Sequence, residues 1–136
     1  MRVRQVLSLY GSTNSTTGVV TLVGQPAVQG ATMIAVPQGM KFKLYRVDID
    51  VQASQTATFT VQYNPNPSSS SSQWVPLAQF TVTAAGHYSF EYRARPIVVY
   101  GMLGTEAVQV SYVQTAVGGS AVAIVAELTD EEDEES

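Results

Sequence analysis

Apolar and polar residues alternate along most of this chain, and the alternation restricts the folds open to it. In 46–53, the residues Val47, Ile49, Val51 and Ala53 alternate with Arg46, Asp48, Asp50 and Gln52. The same period of two returns in 58–63, 79–83, 87–93 and 108–112. Because successive side chains of a strand point to opposite faces, each stretch predicts a β-strand with one face in a core. Further strands are expected at 2–9, 18–23, 31–36, 96–103 and 121–128.

Turn-forming residues separate these stretches. Gly24-Gln25-Pro26, Pro37-Gln38-Gly39 and Gly118-Gly119-Ser120 are three such turn signals. The chain has no ten-residue stretch that combines helical spacing with a capping box. About ten short strands joined by regular turns predict an all-β fold, an antiparallel β-sandwich of jelly-roll-like form.

The pattern divides the chain into three parts. Residues 1–40 have weaker alternation and many turns, which predicts an N-terminal extended arm with edge strands. Residues 41–128 form the expected β-sandwich core, and residues 129–136 form an acidic C-terminal tail. An arm can add a strand to a neighbouring subunit's sheet, and deletion of residues 1–17 is then expected to abolish oligomerisation and to leave a folded β-domain. The alternative is that these strands complete the chain's own sandwich.

Charge is scarce and unevenly placed. Charged residues make up 13% of the 136 residues, against about 25% in average globular domains. The net charge of −4 arises from a tail with six acidic residues at 130–135 and a remainder with five acidic and seven basic residues. The composition excludes a disordered chain and a nucleic-acid binder that works through a basic surface.

The acidic tail has two interpretations. A block of like charge is typical of a solvating or interacting tail. In one hypothesis it contacts Arg or Lys of another subunit or protein, and in the other it keeps a charge-poor body soluble before assembly. Candidate contact residues are Arg2, Arg4, Asp130, Glu131 and Glu132.

Catalytic residues are not expected. The single histidine, His87, is predicted on the outward face of a strand, and no Gly-x-Ser-x-Gly motif supplies a nucleophile. Asp48 and Asp50 share a strand face, but no acidic loop completes a calcium site, so a cross-strand ion pair with Arg46, Lys43 or a neighbour is predicted instead. We expect no catalytic residue, no metal ligand and no cofactor, and we do not expect an enzyme.

One polar segment interrupts the strands. Asn64-Pro65-Asn66-Pro67 is followed by Ser68 to Ser72, which predicts an exposed hairpin loop. The loop is either a contact loop or a simple solvent-exposed connection. Trp74 borders it, and Trp74 and Tyr10 are candidate surface contacts. Four other tyrosines are in register with the apolar residues and are predicted to face the core: Tyr63, Tyr88, Tyr92 and Tyr112.

The chain lacks the features of membrane and exported proteins. There is no window of about 20 apolar residues, and Ser8 and Ser12 interrupt any apolar core of a signal peptide. The chain has no cysteine. We expect a protein made in the cytoplasm without a signal peptide.

The middle of the sequence shows a recognisable succession of segments. It runs from Gln55 to Tyr63, through a polar loop, to Trp74–Gly86 with its Ala-Ala-Gly turn, and on through Tyr88 to Tyr100. This succession resembles small β-sandwich or jelly-roll virion proteins of bacteriophages, namely capsid decoration and related accessory proteins.

The resemblance implies a viral structural role. Such a protein binds the capsid exterior and stabilises the shell through contacts with a major capsid protein and with itself, as a homo-oligomer and most simply a trimer. It is made in the host cytoplasm, and neither nucleic acid nor a membrane is expected as a partner. One alternative is a jelly-roll capsid subunit that builds the lattice itself. A second is a carbohydrate- or receptor-binding β-sandwich module that uses Trp74 and the loop 64–73.

Overall fold

The computed structural model describes residues 4–25, 28–52, 55–69, 73–116 and 119–130. These residues form twelve β-strands and no helix, so no membrane-spanning helix occurs among them. The strands are β1 (Arg4–Ser12), β2 (Thr17–Val19), β3 (Leu22–Gln25), β4 (Val28–Ala31), β5 (Ile34–Ala35), β6 (Lys41–Val51), β7 (Ala57–Asn64), β8 (Val75–Val82), β9 (Gly86–Glu91), β10 (Ile97–Tyr100), β11 (Ala107–Gln114) and β12 (Ser120–Thr129). The predicted all-β class is confirmed.

Two antiparallel sheets make up the sandwich. In the seven-stranded sheet the order is β10-β6-β12-β1-β3-β4, and β9 also pairs with β6. In the five-stranded sheet the order is β2-β11-β7-β8, and β5 also pairs with β11. The predicted antiparallel β-sandwich is therefore confirmed.

The core lies between the sheets and follows the alternation of the sequence. Val47 and Ile49 of β6 and Phe59 and Val61 of β7 are all fully buried. Burial of each such side chain contributes roughly 1.5–3 kcal/mol. Tyr112 is buried, and the other three tyrosines in the apolar register pack against the core. Their predicted orientation is confirmed.

A β-bulge changes the phase of β6. Arg46 pairs with Val125 and Leu44 pairs with Ala126, so Tyr45 has no counterpart in β12. Such an extra residue reverses the side-chain alternation on either side of it. For this reason the alternation in the sequence predicted the strand only from residue 46, whereas β6 begins at Lys41.

The N-terminal strand lies inside the seven-stranded sheet. β1 pairs with β12 from Arg4 opposite Thr129 to Ser12 opposite Ala121, and with β3 on its other side. Its apolar face, with Leu7 and Leu9, is buried in the core. In residues 4–25 and 28–40, the described part of this segment, the strands pair within the chain's own sandwich, which is the second of the two arrangements expected. The boundaries at 40 and 129 stay predictions.

Candidate interaction surfaces

The two sheets differ in charge. Eight residues in the strands of the seven-stranded sheet are charged: Arg4, Lys41, Lys43, Arg46, Asp48, Asp50, Glu91 and Glu127. The strands of the five-stranded sheet contain no charged residue. The sandwich therefore presents two outer faces of different chemistry.

The outer face of the five-stranded sheet is built from small polar and aliphatic residues. We call it the uncharged face, and it consists of Thr17, Val19, Thr58, Thr60, Gln62, Gln79, Thr81, Gln109, Ser111 and Val113. The strand register aligns these side chains in rows across the sheet, and one row places Thr60 between Gln79 and Ser111.

Most polar side chains of the uncharged face are hydrogen-bonded to one another. Three hydrogen bonds cross between strands: Thr58 with Thr81 at 3.0 Å between the hydroxyl oxygens, Gln79 Nε2 to Thr60 Oγ1 at 3.0 Å, and Gln109 Nε2 to Gln62 Oε1 at 2.6 Å. Thr60 and Gln109 are each only 8% exposed. A partner that covers these groups therefore displaces few of their hydrogen bonds to water.

The outer face of the seven-stranded sheet carries an ionic network. Its members are Arg46, Asp48, Asp50, His87, Ser89 and Glu91. Arg46 Nε lies 3.0 Å from Asp48 Oδ2, which confirms the predicted pairing of Asp48 with Arg46. His87 is exposed, as predicted, and its Nδ1 lies 2.6 Å from Asp50 Oδ1. Among the described residues no group of three or more acidic, histidine or cysteine side chains is arranged to hold a metal ion.

The Ser89 hydroxyl is directed at a carboxylate rather than at the histidine. It donates a hydrogen bond to Asp48, and Arg46 donates a second hydrogen bond to the Ser89 oxygen at 3.1 Å. The geometry is that of a cross-strand network that holds β9 to β6. Exposed ion pairs of this kind contribute about 0–1 kcal/mol each.

Apolar side chains lie beside this network. Tyr10, a predicted contact residue, is 60% exposed on β1 opposite Ala123, and Val6 on the same face is 58% exposed. Trp74, the other candidate aromatic, is half-buried just before β8 of the other sheet. Tyr10 and Trp74 therefore do not form one binding patch.

The candidate residues at the two chain ends are partly described. Arg4 pairs in register with Thr129, so the backbone at Arg4 lies beside the start of the acidic tail. Asp130 follows directly and is half-buried. Arg2, Glu131 and Glu132 lie outside the described residues, and the contacts expected of them stay predictions.

The predicted hairpin loop joins β7 to β8, which pair as neighbours. Asn64 Oδ1 accepts a hydrogen bond from the Asn66 backbone N–H at 2.9 Å, and Asn66 Oδ1 accepts one from Ser68 at 3.2 Å. These bonds form local turns of the kind that Asn side chains favour. The described part of the loop, 64–69 and 73, lies where the sequence predicts it, whereas Ser70 to Ser72 lie outside the described residues. The role of the loop as a contact loop stays a prediction.

A groove of about 490 Å³ opens at one edge of the sandwich. Its walls include Tyr63 and Leu77 from the five-stranded sheet and Tyr100 from β10 of the other sheet. Leu103 borders it, and Leu103 and the neighbouring Met102 are largely exposed. The groove is an apolar cleft with two tyrosine rings in its wall.

A buried carboxylate shapes the loop beside this groove. Glu106 accepts backbone hydrogen bonds from Met102, Leu103 and Gly104, each at 3.0 Å. Burial by itself raises the pKa of Glu106, but the backbone N–H donors outweigh it, and the pKa lies below its ordinary value. The carboxylate thus fixes a loop that presents two apolar side chains to the outside.

Two of these surfaces, the uncharged face and the groove, contain none of the predicted contact residues. The uncharged face has a sequence signal, since residues 51–86 and 107–126 contain no charged residue. The groove has a weaker one, because Met102-Leu103 lies between Gly101 and Gly104 in a turn. An apolar pair inside a glycine-rich turn indicates exposed apolar side chains.

Comparison with known proteins bears on the fold. No protein-family model and no curated protein matches the sequence. Among solved structures the chain is similar to PirA, with 14% identity and a TM-score of 0.52 over 87% of this chain and 92% of that one. It is also similar to the CBM22-1 xylan-binding domain of Paenibacillus barcinonensis Xyn10C, with 11% identity and a TM-score of 0.50 over 93% and 95%.

A third similar structure is the virus-like particle of the Macrobrachium rosenbergii extra small virus, with 10% identity and a TM-score of 0.44 over 97% of this chain and 81% of that one. The similarities to PirA and to the xylan-binding domain show that the chain has a β-sandwich fold of the jelly-roll type. At such low identities they carry the fold alone.

Proposed function

We propose that this chain is a structural protein of a bacteriophage virion, a capsid accessory or decoration protein on the shell exterior. The observation that carries the proposal is the uncharged face, a whole sheet surface without a charged residue. Interface cores are depleted in charged residues. The internal hydrogen bonds of the face further favour its burial against protein.

The division of charge suggests how the protein stabilises a shell. The uncharged face is covered in the assembly. The ionic network of the other sheet stays in water, so its charges avoid a desolvation penalty. A subunit that binds only the assembled shell stabilises it by mass action. The partners are a major capsid protein and other copies of this chain. The role needs no catalysis, cofactor, nucleic acid or membrane.

The test is sedimentation of the tagged full-length chain from the cells that make it. We expect the chain in the fraction of assembled particles, at a fixed ratio to the most abundant shell protein. Particles without it should lose their contents at a lower temperature and regain resistance when purified protein is added. A chain that stays at the top of the gradient in particle-producing cells would refute the proposal.

The same particles separate this role from that of a lattice-forming capsid subunit. A decoration protein is dispensable for a closed shell, so particles should form without it. A lattice subunit is required, and its removal should leave no particles.

A second candidate function, carbohydrate binding, is favoured by the groove with Tyr63 and Tyr100 in its wall. Tyrosine rings can stack on sugars, and one structural neighbour is described as a xylan-binding domain. A glycan array tests it: binding that is lost in Tyr100→Ala but kept in Tyr10→Ala would support a sugar site in the groove. Binding lost in Trp74→Ala would instead favour the loop 64–73.

A further inference from the structure

We infer that the uncharged face is covered by the uncharged face of a second copy of this chain, in a two-fold pair. The inference rests on the proposed function and identifies one partner of the uncharged face, namely another copy of this chain. Three properties of the face support the inference: its area, its lack of charged residues and its lack of aromatic residues.

The area suits a weak, reversible pair. β7, β8 and β11 each have eight residues, which gives a length of about 27 Å at about 3.4 Å per residue. These three strands, about 4.8 Å apart, cover about 390 Å², and the three residues of β2 add about 50 Å², so each copy contributes about 440 Å². Two copies bury about 900 Å², which is the size of a weak, reversible interface rather than a permanent one.

The lack of charge on this face favours a partner surface that is also uncharged. A charged surface placed on the uncharged face would leave its own charges buried without counter-charges, which is unfavourable. A two-fold axis places the same patch on both sides of the contact, so neither side brings a charge. The cross-strand hydrogen bonds, such as Gln109 to Gln62, can persist in both copies.

The face also has an exposed aliphatic part. Val113 is 63% exposed on β11, and Val19 on the neighbouring β2 is 36% exposed. In register, Val113 lies between Thr17 and Thr58. Pairing removes these aliphatic side chains from water, at about 25 cal/mol for each Å² of apolar surface.

The residues that the face lacks argue against a sugar as its occupant. No Trp, Tyr or Phe is among its members, whereas sugars are held by stacking on aromatic rings. Within the described residues, the tyrosines that line a cavity lie at the groove instead. The two sites therefore belong to different ligand classes.

Sedimentation velocity of the purified full-length protein tests the pair. At about 100 μM, a concentration suited to an interface at the small end of the size range, we expect a dimer that dissociates on dilution. Val113→Glu should raise the dissociation constant by about 100-fold or more, because each copy would then bury a charge without a counter-charge. Val6→Glu, an equally exposed valine on the other sheet, should leave it unchanged.

A second variant and a folding measurement show whether a loss of the dimer is caused by misfolding. Thr81→Lys places a positive charge elsewhere on the face and should also give monomers, and circular dichroism should show native β-structure in all three variants. A wild-type protein that is monomeric at this concentration would overturn the inference. So would dissociation by Val6→Glu and not by Val113→Glu.

The outcomes also separate this inference from the proposed function. A monomer that still sediments with shells overturns the pair and keeps the structural role. A dimer that responds to Val113→Glu but sediments with no particle confirms the pair and removes the role.

Discussion

The hydroxyl oxygens of Thr58 and Thr81 lie 3.0 Å apart, directly opposite each other on β7 and β8. Each hydroxyl can therefore be removed from bulk water and still have a hydrogen-bond partner. Two further pairs of polar side chains on this face, Gln79 with Thr60 and Gln109 with Gln62, are linked in the same way. Because no ionic group takes part, association through this face should respond to salt differently from association through charged groups.

The first prediction concerns salt. The dissociation constant of the proposed pair should change by less than about threefold between 50 and 500 mM NaCl, since screening acts on charges and not on neutral hydrogen bonds. Sedimentation velocity at both salt concentrations measures it. A tenfold weakening at high salt would mean that ionic residues of the other sheet hold the copies together.

The second prediction concerns Glu106. Glu106→Gln should destabilise the fold by about 1–3 kcal/mol at pH 7, because an amide cannot replace a buried carboxylate that accepts several backbone N–H groups. Since folding lowers the pKa of Glu106 below 4.5, its contribution is complete above pH 4.5 and is lost as the pH falls through the folded-state pKa. The difference between wild type and variant in urea unfolding should therefore shrink below about pH 4.5.

Glu91→Gln is the matched control for this experiment. Glu91 is an exposed carboxylate whose Oε2 lies 3.4 Å from Arg46 Nη1. Its replacement should lower the free energy of unfolding by less than about 1 kcal/mol at neutral pH. A Glu106→Gln variant whose deficit stays constant from pH 7 to pH 3 would contradict the proposed role of the charge.

The third prediction concerns the aromatic cluster at the sandwich edge. The rings of Phe80 and Phe90 stack with centroids 4.3 Å apart, and Tyr92 lies 6.5 Å from Phe80. Burial there raises the pKa of Tyr92. Phe80→Ala should lower the free energy of unfolding by about 3–5 kcal/mol, whereas the exposed Tyr10→Ala should change it by less than about 0.5 kcal/mol. Equal effects of the two substitutions would mean that the cluster does not hold the sheets together.

The fourth prediction concerns the acidic tail. Removal of 131–136 deletes five acidic residues and should leave the free energy of unfolding within about 0.5 kcal/mol of wild type. Binding to shells should weaken and lose its salt dependence if the tail contacts a cationic partner. A truncation before Thr129 would be a poor test, because that residue is buried within β12.

The fifth prediction replaces an expectation from the sequence. Deletion of residues 1–12 should unfold the protein rather than release a folded domain without an arm. β1 supplies Leu7 and Leu9 to the core and pairs with β12 and β3. Loss of the folded circular-dichroism spectrum checks it. A deletion variant that melts cooperatively near the wild-type temperature would restore the arm hypothesis.

Much of the fold could be predicted because alternation is a local property. Val47, Ile49 and Phe59 were assigned to the core from their spacing alone, and they are fully buried. The start of β6 could not be predicted, because the bulge at Tyr45 shifts the register and depends on β12. The place of β1 beside β12 is a long-range pairing, for which neither strand carries a local signal.

The interaction surfaces were harder to predict for the same reason. Arg46 and Asp48 lie two residues apart on one strand face, so their pairing followed from the sequence. The uncharged face joins β2, β11, β7 and β8, and only the sheet order shows that their neutral residues share one surface. The groove depends on Tyr63 and Tyr100 from different sheets meeting at an edge.

The pairing of β1 with β12 also has a consequence for biosynthesis. At about 5–20 residues per second, a ribosome needs about 5–22 s to go from the end of β1 at Ser12 to the start of β12 at Ser120. Throughout that time the side of β1 that β12 will cover is an open strand edge, which is prone to aggregation. A fragment released before β12 is made is therefore prone to aggregation. The acidic residues at 130–135 are made only after β12.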